Sequence, residues 1–72
     1  MEYVINLIWD NDAAVWVAQS DDVPGLVLES GSFDALIERL RLTVPEMIEL
    51  NGTQKTAPIL TFVSKRQERI VQ

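Results

Sequence analysis

The sequence predicts an α+β fold in the order β-β-β-α-β, with one helix packed on one face of the sheet. Three observations predict it. Short runs of β-branched and aromatic residues, separated by turn residues, fill positions 2–30. A single apolar stripe at helical spacing then runs from Phe33 to Ile48. A last apolar run, 58–64, follows a polar linker.

The first strand is "EYVINLIW" (2–9), and "DNDA" (10–13) supplies the turn residues after it. "AVWVAQ" (14–19) is the second strand, and the short connection makes the two a hairpin. "SDDVPG" (20–25) is a loop, and "LVLES" (26–30) is a third short strand before Gly31. Ser32 is placed to cap the helix, because its hydroxyl can accept a bond from a free first-turn N–H. Asp34 lies in that first turn, where the helix dipole favours negative charge. Phe33, Leu36, Ile37, Leu40, Val44, Met47 and Ile48 share one face. Pro45 lacks an N–H and is expected to kink or split the helix near residue 44. Asn51-Gly52 ends it. "TQKTA" (53–57) is the linker and "PILTFVS" (58–64) the fourth strand, with Pro58 tolerated at its start. The charged tail 65–72 is an extension of that strand or flexible. The whole of 1–72 reads as a single domain.

One helix covers one sheet face only. Yet strand one is apolar on both faces, with Tyr3, Ile5, Leu7 and Trp9 on one and Val4 and Ile8 on the other. Strands two and four repeat the pattern. A sheet with one wet face should alternate apolar and polar residues, so the second face is expected to be covered by another chain.

Composition narrows the chemistry. Seventy-two residues without cysteine exclude disulfides and thiolate metal sites. The absence of histidine removes the commonest general base and zinc ligand. A domain this small is marginal alone, which favours a homo-oligomer. No apolar run approaches the roughly 20 residues that span a bilayer, and with no basic n-region before an apolar h-region no signal peptide is expected. A cytoplasmic, non-membrane protein is expected. The net charge of −5 is unevenly spread: residues 1–38 hold eight acids and no base, and residues 39–72 hold six bases and three acids. An acidic half repels phosphate and attracts basic surfaces. Direct nucleic-acid binding is therefore disfavoured, even though the tail contains "KRQER".

Candidate chemistry is sparse. Asp10-Asn11-Asp12 resembles the start of a calcium loop, but Val15 and Asp21 stand where a Gly and a Glu are needed. Asp21 and Asp22 could form a carboxylate pair for acid/base work or magnesium, although adjacent strand residues point to opposite faces. The plainer reading is a solvated turn. No hydroxyl or lysine sits in a nucleophile motif, and no glycine-rich phosphate loop occurs. No cofactor or metal is expected, and no enzyme. Leu42 points off the apolar stripe and is a candidate contact residue.

The run "VWVAQSDDVPGLVLESGSFDALIERL" resembles the HicB-type antitoxin domain. The matching positions are Trp16, Ala18, Ser20, Asp22, Pro24, Gly25, Gly31 and Ser32, and the likeness covers roughly residues 3 to 50. Within that group the chain looks like a small stand-alone bacterial branch of unknown function. The resemblance implies a partial ribonuclease H-like sheet with one helix. It also implies a protein-binding role, masking a small basic RNA-cleaving toxin of the HicA type. The expected partner surface is Asp10, Asp12, Asp21, Asp22, Glu29 and Leu42. Two alternatives stay open: a degenerate ribonuclease H-like, metal-dependent nuclease using Asp10, Asp21 or Asp22, and a self-assembling structural oligomer.

Overall fold

A computed structural model describes residues 2–50, 52 and 57–71. The elements are β1 (Glu2–Asp10), β2 (Val15–Gln19), β3 (Val27–Ser30), α1 (Phe33–Leu50) and β4 (Ile59–Lys65). The order is β-β-β-α-β, as expected. The strands form one mixed sheet in the order β3-β2-β1-β4. β1 pairs antiparallel with β2, β2 antiparallel with β3, and β1 parallel with β4. β3 and β4 thus run the same way at opposite edges. Parallel strands need a long crossover, and α1 supplies it by passing over the sheet between them.

The core lies between α1 and the inner sheet face. Leu36, Leu40, Val44 and Ile48 meet Ile5, Leu7 and Ala18, all buried. Tyr3, Trp16, Leu28, Leu60 and Phe62 border them. Ser32 caps the helix: its Oγ accepts the Ala35 N–H at 3.2 Å, and its carbonyl accepts the Leu36 N–H at 3.1 Å. The helix is not split at Pro45; it runs unbroken from Phe33 to Leu50. The bond that Pro45 cannot make would have gone to the carbonyl of Arg41, an exposed residue that water reaches. Val44 and Ile48 bury the turns on both sides and hold the helix together. At its end the Gly52 N–H donates to the Glu49 carbonyl at 3.4 Å. Asn51 and most of the expected linker lie outside the described residues.

Two boundaries differ from expectation because a turn claims the residue. Leu26 closes the loop rather than opening β3. Its N–H donates to the Val23 carbonyl at 3.1 Å, across Pro24 and Gly25. Gly25 has φ 85°, so this is a type II turn with Pro and Gly at its centre. Both flanking residues, Val23 and Leu26, plug the core. Ala14, expected in β2, is the last residue of the hairpin turn at φ 55°. An alanine there is strained where a glycine would not be. Ala14→Gly should raise the unfolding free energy by about 0.5–1 kcal/mol. Thermal melting checks this, and an unchanged or lower midpoint would show that the turn carries no strain.

The strand extends into the expected tail by Lys65 alone. Residues 66–71 have no regular structure, and their root is held at the hairpin. The Arg66 guanidinium lies 4.2 Å from the centre of the Trp9 ring. Asn11 Nδ2 donates to the Gln67 carbonyl at 3.2 Å, and Trp9 Nε1 donates to Asn11 Oδ1 at 2.8 Å. Trp9, Trp16 and Phe33 continue this stack edge-on, with centroids 5.4 and 4.9 Å apart. These rings close the hairpin end of the core.

Candidate partner-binding face

The strand registers define the outer face. Residues directly opposite in a ladder point to the same side, which groups Glu2, Val4, Asn6, Ile8 and Asp10 of β1 with Val15, Val17 and Gln19 of β2. Val27 and Glu29 of β3 join them, as do Ile59, Thr61, Val63 and Lys65 of β4. Among the described residues no element packs on this face, and α1 lies on the other. Val27 is 70% exposed, Ile59 61%, Val63 48% and Ile8 40%. The apolar second face expected from the pattern is therefore present and open. Its middle is not purely apolar: Asn6 faces Gln19, and these two with Ile8, Ser20, Asp21 and Leu26 line a shallow hollow. Among the described residues Glu2, Asp10 and Glu29 outnumber Lys65 on the face, so their summed charge is acidic.

The six expected partner residues do not form one surface. Asp21 lies at the hollow and Glu29 on the outer face beside Val17. Asp12 is exposed in the hairpin turn at the far end of the sheet. Leu42 is 72% exposed but sits on the helix, which covers the opposite side of the sheet. It cannot share a surface with Glu29. Two of the acids serve the backbone instead. Asp10 Oδ1 accepts the N–H groups of Asp12 at 3.0 Å and Ala13 at 3.2 Å, which shapes the hairpin turn.

Asp22 has the more specific task. The last β1–β2 pair is Asn6 with Gln19. Past it, β2 leaves the sheet, and Val4 in the central strand loses its neighbour on that side. Asp22 Oδ2 accepts the Val4 N–H at 2.8 Å, and the Ser20 hydroxyl donates to the Val4 carbonyl. The Asp22 N–H donates to Ser20 Oγ at 3.0 Å. Two side chains thus continue the ladder where the backbone cannot. In the sequence Ser20 stands only as a family match without a role. The one signal available there is a Ser two residues before an Asp at a strand end.

Asp10 is not brought to the loop acids proposed with it for a nuclease. Asp22 is held at Val4, and Asp10 lies six residues further along the same strand. That separation is about 20 Å at the rise of a β-strand. Among the described residues no group of three or more potential ligands could hold a metal ion. No described helix is long and apolar enough to cross a membrane.

A family model described as a domain of unknown function, DUF1902, matches residues 2–72. No curated protein matches the chain. The chain is similar to a hypothetical protein of known crystal structure from the extremely thermophilic bacterium Thermus thermophilus. The two are 35% identical, the match covers 100% of both chains, and the TM-score is 0.74. With a family model spanning nearly all of it and a relative of the same length and fold, the chain belongs to the DUF1902 family.

Proposed function

We propose that this protein is a cytoplasmic protein-binding module of antitoxin type. It works as a homo-oligomer and masks a small basic, RNA-cleaving toxin of the HicA kind. One observation carries the reading: an open outer sheet face combines exposed apolar side chains with a surplus of acids. Exposed apolar area rimmed by charge marks contact surfaces. The resemblance of residues 15–40 to HicB-type domains supplies the class of partner. Asp10 is tied to the hairpin backbone and Glu2 accepts the Thr61 hydroxyl, which leaves Asp21 and Glu29 as the acids of this face with no such bond described. They are the ones expected to steer a basic protein.

The test takes a small basic protein that co-purifies with this chain or is encoded beside it; finding none would count against the reading. An equimolar amount of this chain should suppress RNA cleavage by that protein. Reversing Asp21 and Glu29 to Lys should slow association about tenfold at low salt, because opposite charge chiefly accelerates encounter. The difference should shrink as salt rises. Circular dichroism should be unchanged. Equal association rates for variant and parent would remove these acids from the interface. Undiminished RNA cleavage would end the antitoxin reading.

A further inference from the structure

The two edges of the sheet are unequally protected. An edge strand offers unpaired N–H and C=O groups to any other strand, and proteins normally blunt such edges. The β3 edge is blunted. It has four residues, including Glu29, and the Glu29 carbonyl accepts Arg39 Nη1 at 3.4 Å. The β4 edge is not. It has seven residues, "ILTFVSK", with no proline and a single charge at its end. Its register with β1 is continuous from Ile59 to Lys65, so no bulge twists it away. Among the described residues no strand lies beyond it. The tail that follows is held at the hairpin by Arg66 and Gln67 and does not fold back along β4.

We infer that β4 pairs antiparallel with β4 of a second copy of this chain, joining two sheets into one of eight strands. This rests on the homo-oligomer part of the reading above and names its interface. The strand is self-complementary about Phe62. In that register Phe62 meets its own copy across the twofold axis, Thr61 meets Val63, Leu60 meets Ser64, and Ile59 meets Lys65. No like charges oppose one another. Lys65 of each copy comes to lie beside Ile59 of the other, one strand from Glu2, which Ile59 already neighbours. The one base of the outer face among the described residues therefore lands near an acid of the partner copy. Pairing at the edge leaves both outer faces open and makes them one continuous surface, so a dimer of this kind still has room for a basic partner.

Two measurements test it. Light scattering at micromolar concentration should give a dimer mass for the parent and a monomer mass for Val63→Lys. That change sets two lysines near the twofold axis and leaves the inner face untouched. Circular dichroism is the folding control. Because the chain has no cysteine, Thr61→Cys and Val63→Cys can also be made singly. Under mild oxidation the mixture of the two should cross-link more than either alone, since residue 61 opposes residue 63 only in this register. A parent dimer that persists in Val63→Lys, with no extra cross-linking in the mixture, would overturn the β4 interface while leaving a homo-oligomer. A monomeric parent would overturn both the interface and the homo-oligomer.

Discussion

Leu40→Ala should lower the free energy of unfolding by about 2–5 kcal/mol. Leu40 is fully buried at the middle of the helix stripe, with Leu36 and Val44 one turn away on either side and equally buried. Truncation there removes apolar atoms and leaves a hole that two rigid layers cannot close. The loss is large against what a chain of this size holds, roughly 4–11 kcal/mol at typical stability per residue. Urea titration at one fixed protein concentration measures it, with the slope as a check that the unfolded state is unchanged. Leu42→Ala is the internal control. Its side chain is 72% exposed, and its removal should change stability by less than about 0.5 kcal/mol. A loss below about 0.5 kcal/mol at Leu40 would mean that the helix does not bury this face.

The adjacent acids of the loop should behave differently. Asp22→Ala should cost roughly 1–3 kcal/mol, because it strips the acceptor from the Val4 N–H in the central strand. Asp22→Asn keeps an acceptor oxygen in the same place and should restore more than half of the loss. Asp21→Ala touches no backbone bond described above and should stay within about 0.5 kcal/mol. Thermal and urea unfolding of the three variants decide the matter. Equal losses at 21 and 22 would mean that the loop is held by general charge and not by the bond to Val4.

Much of this fold is legible in the sequence because its signals are local. The stripe from Phe33 to Ile48 announces α1, and Ser32 announces its start. The two-sided apolar pattern of β1 announces an uncovered face. Pro45 misleads because its effect depends on where the missing bond falls, and here that place is exposed and flanked by buried turns. The loop "SDDVPGL" misleads for a related reason. Two adjacent carboxylates look alike in a sequence, and only the point where β2 leaves the sheet shows that Asp22 is needed by Val4. The parallel pairing of β1 with β4 and the stacking of Arg66 on Trp9 join residues far apart in the chain. No local pattern encodes such contacts. The candidate face is legible in outline: Asp21 and Glu29 lie on it or at its hollow, whereas Leu42 lies on the opposite side of the molecule.

The central position of β1 also has a consequence for synthesis. β1 is made early, and its parallel neighbour β4 is made late, with 48 residues between Asp10 and Ile59. At about 5–20 residues per second, roughly 2–10 s pass between the two on the ribosome. During that interval the nascent chain can form the β1–β2 hairpin and the helix, but one side of β1 has no strand to pair with. Ile5 and Leu7 then border an open edge, the kind of surface that recruits chaperones or other nascent chains. A transcript truncated before β4 would not yield a smaller working domain. It would release a three-stranded fragment with its most apolar strand exposed at the edge, and quality-control proteases would be expected to clear it.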